Sequence, residues 1–279
     1  MEEYQDNVVI EVGFKKDNRN HAFSLCLDTK EFTQALIHDY FVNNEFYERG
    51  ASLFLIKCLK EGDTFIDVGS HIGYFSLLAA SIVGNSGKVY SFEPQVDNFK
   101  NLNLQKEKNN FSNLITINKA LSDREEIRDF YINLDNDGGH SFWDIKEFPV
   151  CEKTRENPIV EKLETTTLDN WFKEQKPQNL KCLKIDVEGA EFMVLQGAEN
   201  ILREFSPFVI CELSDLALSK LGSCQEEMRK FMSDLGYTTF IFNNKTLIPV
   251  PEYKLINSKY ALNILFAKLE NLKFRNLSV

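Results

Sequence analysis

Residues 61–76 of the chain read EGDTFIDVGSHIGYFS, and this stretch predicts the fold. The apolar run over residues 64–68 is typical of a buried strand, and it is followed by Gly69. Gly73 comes next in the turn, and an apolar pattern with helical spacing begins at Tyr74. A strand, a glycine turn and a helix in this order form the nucleotide-binding corner of doubly wound α/β folds. We therefore expect the sheet to be built around this corner and the substrate to be brought to it.

The composition favours a folded chain with a large core. Hydrophobic residues make up 43% and aromatic residues 12% of the 279 residues, whereas disordered chains are poor in both classes. The formal net charge is −10, and nucleic acids and anionic membranes are bound through basic surfaces. No apolar run approaches the roughly 18 residues that a membrane-spanning helix needs. We therefore expect neither a nucleic-acid partner nor a membrane partner.

The six cysteines show no Cys-x-x-Cys pair, which argues against zinc ribbons and thioredoxin-like redox sites. Scattered free thiols are typical of a reducing compartment. The acidic, polar segment MEEYQDN at the start does not have the pattern of a signal peptide. These features predict a cytoplasmic location.

The first 60 residues are expected to form an N-terminal cap packed on the core. NVVIEVGF and HAFSLCL are strand patterns on either side of the polar turn KKDNRN, which predicts a hairpin. Apolar residues with helical spacing follow over residues 31–60, with a break near residues 43–44. Residues 61–279 then form the main domain.

Strand and helix patterns alternate through this main domain, which implies right-handed crossovers and a mostly parallel sheet. After the first strand, the strand patterns are KVYSFEP, NLITINKAL, LKCLKI, FVICEL, YTTFIFN and YALNILFAKL, and the last two are expected to pair at one end of the sheet. The helices are expected at residues 74–83, 97–108, 190–203 and 225–235.

Residues 122–175 interrupt this alternation and are interpreted as an insertion over the sheet. They contain the extended pieces DFYINL and VEKLETT, with the glycine-rich loop DNDGGHS between them. A short helix is expected to open at Thr167 or Asp169. Insertions after core strands often carry substrate contacts.

The glycine turn excludes two classes of nucleotide site. A P-loop requires Gly-Lys-Ser/Thr at the helix start, where this chain has Gly73-Tyr74-Phe75. A dinucleotide site favours Gly-x-Gly-x-x-Gly, and an acidic residue such as Asp67 is unfavourable beside a pyrophosphate. A carboxylate suits a cationic ligand such as S-adenosylmethionine (SAM). Glu93, at the end of the second strand, is placed to bind ribose hydroxyls.

Four segments resemble the FkbM-type SAM-dependent methyltransferases over approximately residues 62–213. They are FIDVGSHIGYFS, SFEPQVDNF, NKALSD and LKIDVEGAEFMVLQGA, of which the last is the most specific. The resemblance implies a Rossmann-like, seven-stranded, mostly parallel sheet whose last strand is antiparallel. It also implies SAM as the cofactor and methyl transfer to hydroxyl groups of sugars and other natural products.

The resemblance further implies a role for individual residues of the cofactor site. Asp67, Gly69 and Gly73 would hold the methionine part of SAM, and Glu93 the ribose. Ala120 and Leu121 would edge the adenine. The chain departs from the family in having Ser70-His71 where Ala-Asn is usual. The remaining members of the expected cofactor-binding set are Ser70, His71, Phe75, Pro94 and Asn98.

Methyl transfer requires an aligned acceptor oxygen and a base for its proton. In this fold the first and fourth strands are neighbours, so Asp186 and Glu188 are expected near the methyl group, and His140 on the insertion is a third candidate base. We expect Glu191 only to complement its helix dipole. Phe142 and Trp143 are expected either to stack on a sugar or to pack against the core.

Three alternatives follow from the same residues. One is a metal-assisted O-methyltransferase, with Asp186, Glu188, Glu212 and His140 as ligands of Mg²⁺ or Mn²⁺. Another is a non-catalytic module that binds a nucleoside or SAM. The third, an NAD-linked oxidoreductase, is disfavoured by the glycine turn. The leading prediction is an O-methyltransferase that uses no metal and acts on a small-molecule or glycan hydroxyl.

Overall fold

The computed structural model describes residues 7–147, 151–243, 246–258 and 261–274. The strands of this part of the chain are β1 (Asn7–Lys16), β2 (Arg19–Asp28), β3 (Thr64–Val68), β4 (Lys88–Phe92), β5 (Leu114–Ile117), β6 (Ala120–Leu121), β7 (Ile127–Ile132), β8 (Ile159–Thr166), β9 (Leu180–Ile185), β10 (Phe208–Leu213), β11 (Thr238–Asn243), β12 (Thr246–Val250) and β13 (Leu262–Ala267). The helices are α1 (Phe32–Val42), α2 (Arg49–Cys58), α3 (Tyr74–Val83), α4 (Val96–Asn109), α5 (Glu152–Glu156), α6 (Leu168–Gln175), α7 (Glu191–Gln196), α8 (Glu199–Phe205), α9 (Asp215–Lys220), α10 (Gln225–Asp234) and α11 (Leu269–Phe274).

The central sheet is mixed, as predicted, and has the order β12-β11-β13-β10-β9-β3-β4-β5. β13 runs antiparallel to both β10 and β11, whereas β3, β4, β5, β9 and β10 pair in parallel. The expected count of seven strands is therefore exceeded by one, because β12 extends the sheet beyond β11. β12 contains Pro249, which is tolerated because the strand lies at the edge of the sheet.

The N-terminal segment packs on one face of this sheet. β1 and β2 form a two-stranded hairpin, and its turn residues Asp17 and Asn18 both have positive φ. Phe23 and Leu25 of β2 are buried in the same apolar cluster as Leu77 of α3. This cluster covers the face of the sheet on which α3 lies, while a second cluster, with Val194 of α7, covers the other face.

The expected third strand, NLITINKAL, is divided between two sheets. β5 remains in the central sheet, whereas β6 pairs with β8 of a separate three-stranded sheet in the order β6-β8-β7. Residues 133–141, called the insertion loop below, follow β7 and return to Tyr131 through an isolated bridge at Ser141.

The helix expected over residues 190–203 is broken into α7 and α8 at Gly197. A Cβ atom at Gly197 would overlap the carbonyl oxygen of Ser122, so only glycine allows this approach. Asp169 accepts hydrogen bonds from the backbone N–H groups of Asn200 and Ile201 and thereby caps α8. The cap of α6 is instead Thr167, which accepts from the N–H of Asn170.

Within the described residues, no helix combines the length and apolar character needed to cross a membrane. All six cysteines are free thiols.

Candidate active site

A cleft opens at the carboxyl ends of β3, β4 and β9. Its walls come from these strand ends, from β6 and from the insertion: Val68, Gly69, His71, Phe92, Glu93, Pro94, Asn98, Lys119, Ala120, Leu121, Phe130, Gly138, His140, Phe142, Asp186, Val187 and Glu188. Ten of the predicted site residues belong to this set. The other four, Asp67, Ser70, Gly73 and Phe75, do not line the cleft.

The glycine turn is pressed against two neighbouring strand ends. Gly69 has φ of 79°, and a Cβ atom there would overlap the carbonyl oxygen of Asp186. The N–H groups of Gly69 and Ser70 both donate to the carbonyl oxygen of Phe92, at 3.0 Å. Gly73 has φ of 93°, and a Cβ atom there would overlap the side chain of Leu102 in α4. Gly69 is therefore required by backbone conformation and by space, and Gly73 chiefly by its backbone conformation.

Asp67, at the end of β3, is linked to helix α3 on the other side of this turn by a hydrogen bond. Its side chain is buried and accepts a hydrogen bond of 2.5 Å from Ser76 Oγ, which also lies 2.6 Å from Ser91 Oγ. Burial raises the pKa of Asp67 to about 6, and the nearby ammonium group of Lys184 opposes that rise.

Glu93 faces the cleft while both of its carboxylate oxygens accept backbone hydrogen bonds. The N–H of His71 donates to Oε2 at 2.8 Å, and the N–H of Gln95 donates to Oε1 at 2.9 Å. Burial raises the pKa of Glu93 to about 7 in spite of these donors. Pro94, Ala120 and Leu121 continue the wall beside it.

His71 joins the glycine turn to the insertion loop. It has a left-handed backbone, with φ of 51°, and its Nε2 lies 2.7 Å from Oδ2 of Asp137. Asn98 Nδ2 donates to the carbonyl oxygen of the same aspartate at 2.7 Å. The sequence pointed to a polar role for His71 but not to this partner, which lies far along the chain.

The other end of the cleft is acidic. Carboxylate oxygens of Asp186, Glu188 and Glu212 lie within 4.8 Å of one another. Burial, followed by the charge of Asp186, raises the pKa of Glu188 to about 8, and the same two causes raise the pKa of Glu212. Glu191 is fully buried and accepts the N–H groups of Val187 and Gly189, so it stabilises the backbone at the start of α7.

A buried lysine lies beneath these carboxylates. Lys184 is 3% exposed, and its Nζ lies 2.5 Å from Asp186 Oδ2 and 3.8 Å from Glu48 Oε2. Burial alone would lower the pKa of Lys184, but the surrounding carboxylates raise it above its ordinary value. Glu48 comes from the N-terminal segment and also accepts a hydrogen bond from Asn263 Nδ2 of β13. The ring of Phe75 lies on the other side of this ammonium group, 4.5 Å from centroid to Nζ.

His140 lines the cleft in a defined tautomer. Its Nδ1 accepts the N–H of Asn133 at 2.9 Å, so the proton of the neutral ring is on Nε2. Burial, followed by the charge of His71, lowers the pKa of His140 to about 4. At neutral pH His140 is therefore an uncharged donor at Nε2, and its one lone pair is already used.

The two aromatic residues after His140 divide between the cleft and the core. Phe142 lines the cleft. Trp143 is 7% exposed, packs with Ile145 and Ala217, and donates from Nε1 to the carbonyl oxygen of Glu188 at 2.8 Å.

Among the residues of this site that were not predicted from the sequence are Glu48, Asp137 and Lys184. A signal existed for Lys184, because a charged residue inside the apolar strand LKCLKI must find a buried partner. Glu48 and Asp137 lie in loops whose composition does not indicate their contacts.

A model of the methyltransferase FkbM domain matches residues 67–239. Comparison with curated proteins gives no match.

Among solved structures, the chain resembles methyltransferase FkbM from Methylobacillus flagellatus KT, with 13% identity, a TM-score of 0.46, and coverage of 75% of this chain and 44% of that chain. It resembles a SAM-dependent O-methyltransferase from Thermotoga maritima, with 14% identity, a TM-score of 0.44, and coverage of 92% and 77%. It also resembles an rRNA methylase from Streptococcus thermophilus, with 13% identity, a TM-score of 0.44, and coverage of 79% and 95%. The matched region thus spans less than half of the Methylobacillus chain. Similarity at these identities and TM-scores carries no information about the substrate.

Proposed function

The chain belongs to the FkbM methyltransferase family, and from this premise we propose that it transfers the methyl group of SAM to a hydroxyl group of a saccharide or related metabolite. Methyltransferase activity and the SAM cofactor follow from the family. The acceptor, the residue roles and the mechanism are our proposal.

The observation that carries the proposal is the continuity of the cleft. The same cavity is lined by Gly69 and Glu93 at one end and by Asp186 and Glu188 at the other. A nucleoside held at the first end would direct its sulfonium group towards carboxylates at the second. Negative charge there suits the cationic donor.

In the proposed complex, Glu93 would bind the ribose hydroxyls, and Ala120 and Leu121 would contact the adenine. The turn from Gly69 to Gly73 packs against the methionine part. Asp67 acts from behind the turn through Ser76, because Ser76 Oγ donates to its carboxylate and Asp67 does not line the cleft.

The chemical step is an in-line displacement. Bound SAM would supply the methyl group: the acceptor oxygen would form a bond to the methyl carbon while the carbon–sulfur bond breaks, and the electron pair of that bond would stay on the sulfur of S-adenosylhomocysteine. The hydroxyl proton passes to the carboxylates of Asp186 and Glu188, which we treat as one titrating pair. His140 serves as a hydrogen-bond donor to the bound molecules, since its tautomer leaves no lone pair for a proton.

The groups at the acidic end of the cleft support an acceptor that carries hydroxyl groups. Asp186, Glu188 and Glu212 offer hydrogen-bond acceptors, and the Lys184 ammonium beneath them is already paired. A molecule with several hydroxyl donors complements this surface. The net charge of −10 supports a small-molecule or glycan acceptor in preference to a nucleic acid.

Two measurements test the proposal. Calorimetry should detect binding of SAM, and no heat at high protein concentration would contradict the cofactor site. Incubation with methyl-labelled SAM and a panel of mono- and oligosaccharides should then give labelled, alkali-stable ethers. Binding of SAM without transfer to any hydroxyl compound would favour the non-catalytic alternative.

A metal-assisted reaction is a second candidate, favoured by the spacing of three carboxylate oxygens within 4.8 Å. Asp186, Glu188 and Glu212 are oxygen ligands of the kind that Mg²⁺ and Mn²⁺ prefer. Dialysis against EDTA followed by addition of MgCl₂ separates the two candidates. Activity that is lost and then restored supports the metal, and unchanged activity supports the metal-free reaction.

A further inference from the structure

We propose that His71 and Asp137 are positioning residues for the cofactor: their hydrogen bond fixes the glycine turn so that the His71 N–H holds Glu93 in its binding orientation. This inference rests on the proposed cofactor site and adds two residues that act on it through Glu93.

Asp137 is the point where three segments meet. Its Oδ1 accepts the N–H of Thr33 at 2.7 Å, and its Oδ2 accepts Nε2 of Gln34 at 3.0 Å and Nε2 of His71 at 2.7 Å. Its carbonyl oxygen accepts Asn98 Nδ2. One residue of the insertion loop thus ties the N-terminal segment, the glycine turn and α4 together.

The carboxylate of Asp137 is suited to this place because α1 needs a cap. The N-cap residue Glu31 makes no side-chain cap hydrogen bond, and the N–H of Thr33 would otherwise lack an intrahelical acceptor. A negative charge also complements the helix N-terminus. Burial raises the pKa of Asp137, but the hydrogen bond and charge of His71 more than offset it and lower the pKa below its ordinary value. The residue is therefore ionised when it binds the imidazole.

His71 connects Asp137 to Glu93, because its side chain bonds to Asp137 and its backbone N–H donates to Glu93. A left-handed conformation costs a non-glycine residue about 1 kcal/mol or more, so it persists only where its surroundings hold it. The bond from Nε2 to Asp137 supplies that hold, and the N–H of the same residue donates to Glu93 Oε2 at 2.8 Å. The contacts Asp137–His71–Glu93 form a continuous path, and Gly138 and His140 of the same insertion loop line the cleft.

The test measures SAM affinity by calorimetry in variants that remove either the Asp137 carboxylate or one of the side chains that donate to it. His71→Ala and Asp137→Ala should each weaken SAM binding about tenfold, as expected for a lost charge-assisted hydrogen bond, and the double variant should be no weaker than either. His71→Gln, whose Nε2 is as many bonds from Cβ, should restore most of the affinity. Gln34→Ala is the matched control: it removes a donor to Asp137 off the path and should leave the affinity unchanged.

Amide hydrogen exchange of the protein without SAM gives a second, independent readout. The His71 amide should exchange slowly in the wild type and in Gln34→Ala, and quickly in Asp137→Ala. If the wild type binds no SAM, the proposed function fails, and the exchange data alone decide whether the path exists. Equal loss of affinity in Gln34→Ala and His71→Ala, or equal loss of protection in Gln34→Ala and Asp137→Ala, would overturn the proposal, because it would show only general loosening.

Discussion

Lys184 Nζ lies 2.5 Å from Oδ2 of Asp186, two residues further along the chain, and this ion pair is buried under the acidic end of the cleft. The Lys184 side chain is 3% exposed and that of Asp186 is 20% exposed. Glu48 and Asp67 also face the same ammonium group. The positive charge of Lys184 therefore offsets the negative charges of carboxylates from the N-terminal segment, from β3 and from the end of β9.

Replacing this lysine should strongly destabilise the protein. Lys184→Met leaves several buried carboxylates without a cation and should lower the free energy of unfolding by about 3–5 kcal/mol. Lys230→Met is the matched control, because Lys230 also pairs with an aspartate but both side chains are 63% exposed; we expect a much smaller loss of stability. Urea denaturation measures both, and similar losses would contradict the role given to Lys184.

The glycine turn allows a comparison of backbone strain with steric overlap. Gly69→Ala combines φ of 79° with a Cβ that would overlap the Asp186 carbonyl, so it should disrupt the turn and abolish SAM binding. Gly222 has a similar φ of 76° with nothing within 4 Å of its Cβ position. Gly222→Ala should therefore lose only about 1 kcal/mol of stability and bind SAM normally. Thermal unfolding and calorimetry check both variants.

Sequence patterns predicted the parts of the fold that depend on residues close to one another in the chain. The strand Thr64–Val68, the glycine turn and helix Tyr74–Val83 follow one another in sequence, so apolar periodicity and glycine spacing identify them together. The carboxyl ends of parallel strands share one edge of the sheet, so the strand pattern alone predicts that Glu93 and Asp186 lie near each other, and both line the same cleft.

Contacts between distant segments were not predictable in the same way. The His71–Asp137 bond joins residues 66 positions apart, and no residue pattern indicates it. The break at Gly197 depends on the approach of Ser122, which periodicity within the helix does not reveal. The strand Thr246–Val250 was missed because Pro249 weakens its strand pattern.

Glu93 should make SAM affinity depend on pH. Its pKa of about 7 means that the carboxylate, which accepts ribose hydroxyls best, forms only as pH rises through neutrality. Affinity should therefore increase between pH 6 and pH 8 in the wild type.

Glu93→Gln should bind SAM at least about tenfold more weakly and show a smaller pH dependence. Asp97→Asn is the control at the start of the following helix, since its side chain is 75% exposed and should not matter. A Glu93→Gln variant with unchanged affinity at pH 8 would remove Glu93 from the site.

The Glu188 carboxylate should lower the free energy of unfolding, although it accepts a proton in the proposed reaction. Its ordinary pKa of 4.5 is raised to about 8 by burial and neighbouring carboxylates, so the folded protein binds more protons than the unfolded chain between these two pH values. The free energy of unfolding therefore falls as pH rises through that interval. Glu188→Gln removes this contribution and should raise Tm by a few degrees at pH 8 but not at pH 4. The same variant should reduce methyl transfer and flatten its rise with pH, because the proton acceptor is lost. Glu191→Ala is the control: Glu191 is also buried but accepts two backbone N–H groups, so removing its carboxylate should lower Tm at both pH values. If Glu188→Gln lowers Tm in the same way, the carboxylate of Glu188 is structural, and the proton acceptor must be Asp186.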